Sequence, residues 1–118
     1  MATYEISRPK LDVLRVVFLE GWNAASDSGA MFRDLLAALD NSDEQITLLI
    51  VAGDKRPIYD ELSIARDILY HDRLKRIIMV AEGADQAVDH MGATRGEHGL
   101  PPIPMIAFED ESAALKIL

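Results

Sequence analysis

The chain has 118 residues, of which 49% are hydrophobic, and it carries a formal net charge of −8. This length predicts one compact domain over residues 1–118 with a single hydrophobic core. The absence of cysteine excludes disulfides, thiol nucleophiles and cysteine-ligated zinc. Because 20 acidic residues outnumber 12 basic ones, we expect no nucleic-acid-binding surface.

The sequence contains no segment typical of membrane insertion. Residues 1–10 (MATYEISRPK) include no apolar stretch like that of a signal peptide. The longest apolar runs, Leu48–Ala52 and Ile77–Ala81, are far shorter than the roughly 20 residues that a membrane helix requires. We therefore expect a cytoplasmic protein with no integral membrane segment.

The first part of the chain predicts a β-hairpin. Thr3–Ile6 and the β-branched stretch Val13–Leu19 favour strands, and Ser7–Asp12, which contains Pro9, favours a turn between them. Gly21 then ends the second strand.

A helix is predicted from about Ser28 to Asp40. Apolar residues recur there at the helical spacing, namely Phe32, Leu35, Leu36 and Leu39. Several side chains that commonly cap helices precede it or stand at its start: Asn23, Ser26, Asp27 and Ser28. The hairpin is thus followed by an amphipathic helix.

Two nearly continuous apolar segments are typical of strands covered on both faces, as in a parallel sheet. They are Ile46–Ala52 (ITLLIVA) and Arg76–Ala81 (RIIMVA). Between them we expect a helix that begins at Pro57 or Asp60 and ends near His71.

The last third predicts a short helix, an irregular segment, a strand and a final helix. The short helix covers Ala84–Met91, and residues 92–102, rich in glycine and proline, read as a loop that could close over a binding site. Ile103–Phe108 favours a strand in which Pro104 indicates an edge position or a late start. Asp110 is a good N-cap for a helix over Glu111–Leu118.

The predicted order is therefore β-β-α-β-α-β-α-β-α. Strands that alternate with helices imply right-handed crossovers, and so a mainly parallel central sheet with helices packed against it. The opening hairpin adds one antiparallel edge strand. The fold class is α/β.

The end of the chain resembles a known domain family. Residues 105–115 (MIAFEDESAAL) contain the pattern F-x-D-x-x-x-A-L, which is similar to the closing strand, acidic turn and helix of the STAS and SpoIIAA-like family. ITLLIVA and RIIMVA stand where that family has its central strands, so the resemblance covers nearly the whole chain. It implies a STAS-like fold and a non-enzymatic role, since the best-known members are anti-sigma-factor antagonists. Related members share a fold with lipid-binding SEC14-type proteins.

One departure from that family concerns phosphorylation. The antagonists carry a D-S-[ST]-G motif after the third strand, and residues 51–63 (VAGDKRPIYDELS) contain none. Apart from Tyr59, the only nearby hydroxyl is Ser63, and the carboxylates of Asp60, Glu61 and Asp67 would repel a phosphate added there. We therefore interpret Ser63 as an ordinary helix serine rather than a phosphorylation site.

Metal and cofactor sites are not predicted. The chain lacks the Walker spacing and the G-x-G-x-x-G fingerprint that cradle phosphates. No two of its histidines, His71, His90 and His98, share a helical turn, whereas zinc sites usually contain a short-spaced pair. We expect no metal and no cofactor.

Catalytic constellations are similarly incomplete. Asp54 follows the third strand, where a receiver domain has its phospho-acceptor, but the paired acids and the lysine of a receiver are not convincingly supplied. Ser63 and Ser112 lack the glycine frame of a nucleophile elbow. We therefore predict that the protein is not an enzyme.

A binding site is expected at the carboxyl ends of the parallel strands, where open α/β sheets bind ligands. Loops there carry Trp22 and Tyr59, flanked by Lys55 and Arg56, and these four residues are the predicted contacts for a ligand or partner. Trp22 and Tyr59 could instead simply cover the core.

Three functions follow from this sequence. The first is a non-catalytic STAS-like module that docks a protein partner or holds a small apolar, lipid-like or acidic ligand at the loop rim of the sheet. The second is a homo-oligomerising domain, such as a homodimer, without a ligand pocket. The third is a small enzyme of unknown type, for which His98 and Asp54 would be the residues to mutate.

Overall fold

A computed structural model describes residues 2–55 and 62–118, with the backbone alone for residues 62–65. These residues form five strands and four helices in the predicted order. The strands are β1 (Tyr4–Lys10), β2 (Val13–Phe18), β3 (Ile46–Gly53), β4 (Leu74–Ala81) and β5 (Met105–Phe108). The helices are α1 (Ala24–Asp40), α2 (Leu62–Leu69), α3 (Ala84–Glu97) and α4 (Glu111–Leu115).

The strands form one mixed sheet in the order β1-β2-β3-β4-β5. β1 pairs with β2 antiparallel, and the three other pairs are parallel. Each parallel crossover moves one strand in the same direction, so right-handed connections place α1, α2 and α3 on one face of the sheet. The predicted α/β class, with its single antiparallel edge strand, is confirmed.

The two faces of the sheet have different covers. Along β3, Leu48 joins the cluster formed with α1, α2 and α3, whereas the next residue, Leu49, joins a smaller cluster with Ala114 of α4. Leu48 is 2% exposed and Leu49 is 0% exposed, so both faces of the central strand are buried. This confirms the interpretation of ITLLIVA as a doubly covered strand.

Helix α1 begins one turn earlier than predicted, because Asn23 is the N-cap. The Oδ1 of Asn23 accepts hydrogen bonds from the backbone N–H of Ala25 at 3.0 Å and of Ser26 at 3.3 Å. Asp27 accepts in return from the backbone N–H of Asn23 at 2.8 Å. Ser28, the predicted start, lies inside the helix and is 1% exposed.

The predicted turn over residues 7–12 is wrong for its first four residues. β1 continues through Pro9 to Lys10, and the chain turns at Leu11 and Asp12. Proline is tolerated there because β1 is an edge strand whose register shifts between Ser7 and Lys10. At the opposite edge, β5 starts immediately after Pro104, as the proline had indicated.

Helix α3 is longer than predicted, because it continues to Glu97. Residues 92–97, predicted as part of an irregular loop, are helical, and Gly99, at φ +69°, follows the C-cap residue His98. The closing part of the chain also differs, because α4 ends at Leu115 instead of Leu118, although Asp110 is its N-cap as predicted. The prediction of a loop over residues 92–102 that closes over a site is therefore wrong for residues 92–97.

Among the described residues, no helix combines the length and the apolar character needed to cross a membrane.

Candidate functional site

A cavity of about 620 Å³ lies between the sheet and the three helices on its larger face. The inward side chains of three adjacent parallel strands form its floor, namely Val16 and Phe18 of β2, Leu48 and Ile50 of β3, and Ile77 and Met79 of β4. Helix α1 supplies Met31, Phe32 and Leu35 as a side wall. The volume falls within the range of roughly 300–1,000 Å³ that is usual for small-molecule sites.

The floor is apolar because of the two-residue period of the strands. In β2, Val16 and Phe18 point to the helix face, while Arg15 and Val17 point to the other face. The parallel register then aligns Val16 with Ile50 and Val17 with Val51. Among the described lining residues, the sheet thus contributes only apolar side chains.

The rim of the cavity is polar. Helix α3 presents Gln86, His90, Thr94 and Glu97, which are spaced by four, four and three residues and therefore lie along one face. Arg66 of α2 also lines the cavity. All of these except the half-buried Thr94 are exposed, so an apolar interior opens toward polar side chains.

A buried arginine joins α3 to the end of α2. Arg95 is 6% exposed, and its guanidinium donates to the backbone carbonyl of Leu69 at 2.6 Å and to that of Pro101 at 2.7 Å. Its Nε is buried and has no hydrogen-bond partner among the described residues. Arg95 therefore connects α2 to the chain that leaves α3, through carbonyl oxygens.

A second connection lies beside the first. The rings of Tyr70 and His98 stack with centroids 4.3 Å apart, and the Tyr70 hydroxyl lies 3.0 Å from Nδ1 of His98. Both residues directly follow the last turn of their helices. Helices α2 and α3 are thus joined at their C-terminal ends, and the cavity extends from there between them.

The polar rim side chains are uncommitted within the described structure. No hydrogen bond or ion pair there engages the side chain of Arg66, Gln86, His90 or Glu97. Thr94 differs, since its hydroxyl donates to the backbone carbonyl of His90 at 2.9 Å. Four side chains at the mouth are therefore available to a ligand.

The predicted contact residue Trp22 packs against the core. Its ring stacks on Phe18 with centroids 4.4 Å apart and meets Tyr4 edge-on at 6.1 Å. Trp22 does not line the cavity, but Phe18 does, so the indole lies one ring behind the cavity wall. A contact of Trp22 with a ligand stays a prediction.

The other predicted contacts are not brought into the cavity by the described residues. Lys55 follows β3 and lies 3.4 Å from Asp54 in an ion pair, and it does not line the cavity. Arg56 and Tyr59 lie outside the described residues, as do Pro57 and Asp60, the predicted starts of α2. Ser63 lies in α2, but its side chain is outside the described part.

The histidines occupy three separate places. His71 holds the end of α1 through Asp40, at 2.7 Å from its Nε2, while its Nδ1 accepts from the backbone N–H of Arg73 at 3.1 Å. His98 stacks on Tyr70, and His90 lies at the cavity rim. Across residues 2–55 and 62–118, no group of three potential ligands could hold a metal ion.

The residues that sequence reasoning missed are those of the α3 rim. The spacing of Gln86, His90, Thr94 and Glu97 is a helical signal, but the glycines at 92, 96 and 99 indicated a loop after Met91. Extending the helix to Glu97 would have aligned all four on one face.

Comparisons with known proteins found no relative from which the function of the site could be inferred. No family model, no curated protein and no solved structure matches the chain. The resemblance to STAS-like domains therefore stays a hypothesis, and the cavity is the feature from which function can be argued.

Proposed function

We propose that this chain is a non-catalytic, STAS-like binding module that works in the cytoplasm and holds one small apolar molecule. The observation that carries the proposal is the cavity of about 620 Å³ with an apolar floor and an uncommitted polar rim. Sites of this kind bind small molecules because the apolar walls supply affinity and a few polar groups set orientation.

The position of the cavity supports binding rather than a packing defect. Interiors of proteins are close-packed, and voids larger than a few water molecules are rare. At a volume of roughly 30 Å³ per molecule in the liquid, a space of 620 Å³ corresponds to about twenty water molecules. Water gains little free energy beside the partly exposed apolar side chains of Ile50, Ala87 and Met91 that line the cavity, so an apolar ligand is the favoured occupant.

The order of secondary structure elements is compatible with the STAS-like part of the proposal. Its β-β-α-β-α-β-α-β-α order agrees with the resemblance, and α1, α2 and α3 lie on one face of the sheet. The ligand site that we propose here lies between the sheet and these helices, whereas the sequence had suggested the loop rim of the sheet.

The test is direct binding of a neutral apolar probe, with a variant that fills the cavity. Ala87 lines the cavity from α3, so Ala87→Trp should occupy part of the space and weaken binding of decanol at least tenfold, measured by calorimetry. The matched control is Ala93→Trp, an exposed position on the same helix that does not line the cavity. Equal binding by both variants, or no binding by the unmodified protein, would refute the proposal.

Native mass spectrometry of the protein purified from its host provides the natural ligand. We expect a co-purified apolar molecule that is present with the unmodified chain and the Ala93→Trp control, and lost with Ala87→Trp.

A further inference from the structure

The polar groups at the cavity mouth are mainly hydrogen-bond donors. The Arg66 guanidinium has only donors, and the imidazole of His90 has at least one N–H in either protonation state. The Gln86 amide adds two donors and one acceptor, while Glu97 is the acidic residue of the described lining. This excess of donors favours a ligand whose exposed end accepts hydrogen bonds.

Arg66 of α2 and His90 of α3 both line the cavity. The hydrogen bond from the Arg95 side chain to the Leu69 carbonyl holds the C-terminal part of α3 beside the end of α2. Arg66 precedes Leu69 by three residues and His90 precedes Arg95 by five. At about 1.5 Å per residue, these steps are about 4.5 and 7.5 Å back along the helices, a difference of less than one turn.

Among the described residues, no acidic side chain pairs with the guanidinium of Arg66. Arg66 forms no ion pair with any described side chain, Glu97 included. A guanidinium pairs well with carboxylate because its planar fork can donate two parallel hydrogen bonds. The partner that it lacks would be supplied by an acid at the end of an apolar ligand.

We propose that the ligand is an amphiphile with one anionic group, a carboxylate in its simplest form, held at the cavity mouth by Arg66 of α2 and His90 of α3 while its hydrocarbon fills the interior. This inference rests on the proposed function, since it requires that the cavity bind an apolar molecule.

The experiment compares two probes that differ only in the end group. Decanoate and decanol have the same chain length, so both test the apolar interior and only decanoate tests the anionic mouth. Each is titrated by calorimetry into the unmodified chain, Arg66→Met and Arg33→Met. Arg33 is exposed on α1 and does not line the cavity, so its variant removes the same charge elsewhere.

We expect the unmodified chain to bind decanoate about tenfold more tightly than decanol, the size of a charge-assisted hydrogen bond. Arg66→Met should remove most of this preference, because it should weaken decanoate binding far more than decanol binding. Arg33→Met should keep the preference. Glu97→Gln, which removes the acidic group from the rim, should strengthen decanoate binding a few-fold.

Two results would overturn this inference without touching the proposed function: equal binding of both probes by the unmodified chain, or a preference for decanoate that survives in Arg66→Met. If Arg66→Met weakened both probes equally, its effect would be structural, and the anionic end group would be rejected. Failure of both probes to bind the unmodified chain would refute the proposed function itself.

Discussion

Arg95 of α3 donates a hydrogen bond of 2.6 Å to the backbone carbonyl of Leu69, at the end of α2. The carbonyls at a helix C-terminus have no partner within the helix and carry partial negative charge, so a buried guanidinium is well placed to satisfy them. The same guanidinium donates to Pro101 at 2.7 Å. One side chain thus connects three segments of the chain, namely α2, α3 and the residues that follow α3.

We predict that Arg95→Met destabilises the protein by about 1–3 kcal/mol, because it removes the donors to the buried Leu69 carbonyl and the partly buried Pro101 carbonyl while keeping similar side-chain length. Urea unfolding followed by circular dichroism measures the change. Arg33→Met on the exposed side of α1 is the control and should stay within about 0.5 kcal/mol of the unmodified chain. A variant at Arg95 as stable as that control would show that the hydrogen bonds do not offset the cost of burying the cation.

We predict that Trp22→Ala lowers the free energy of unfolding by about 2–3 kcal/mol, since it removes an indole stacked on Phe18 and in edge contact with Tyr4. Trp22→Phe should recover much of this loss. Decanol affinity, measured by calorimetry in Trp22→Phe, should change less than threefold, because the indole lies behind the cavity wall. A large loss of affinity at unchanged stability would instead support a direct ligand contact.

We predict that Asp27 contributes stability that disappears in acid. The Asp27 carboxylate accepts a hydrogen bond from the backbone N–H of Asn23, which lowers its pKa below the ordinary value of 3.8. Because the folded-state pKa is the lower one, the contribution is complete above about pH 5 and is lost as the pH falls below 3.8 toward the folded-state value. Urea unfolding at pH 7 and pH 3 should show Asp27→Asn less stable at pH 7, with a smaller difference at pH 3. A difference that grows in acid would contradict this assignment.

We predict that Tyr4 contributes stability that disappears at alkaline pH. Its hydroxyl donates to Asp34, and this hydrogen bond, with partial burial, raises the pKa of Tyr4 to about 12. Since the folded-state pKa lies above the ordinary value of 10.0, the contribution is complete below pH 10 and is lost as the pH rises through 12. Absorbance at about 295 nm should show that the Tyr4 step, identified by its loss in Tyr4→Phe, occurs well above pH 10, and Asp34→Asn should bring that step nearer to ordinary tyrosine. A Tyr4 step near pH 10 in the unmodified chain would refute this prediction.

The elements that sequence predicted well are those whose cause is local. ITLLIVA and RIIMVA are nearly continuous apolar runs, which are typical of doubly covered strands, and both form inner strands of the sheet. Asp110 capped its helix because a carboxylate needs only the next backbone N–H groups. The prediction failed for residues 92–97, where α3 continues beyond Gly92 and its Arg95 donates a hydrogen bond to the end of α2, a contact that no local pattern indicates.

The candidate site, too, depends on contacts between residues that are distant in the sequence. Its rim residues stand far apart along the chain. Arg66 and His90 line one cavity only because their two helices lie on the same face of the sheet. Trp22 was predicted from the sequence to contact a ligand, and in the structure its ring stacks on Phe18.

The amino-acid sequence alone determined the order of elements, the α/β class and the identity of the central strands, because hydrophobic periodicity and capping act within a few residues. Only the tertiary structure decided that a cavity exists, which side chains line it and which charge stands at its mouth. A cavity is space left between elements, and no local pattern specifies how completely neighbouring helices fill the distance between them.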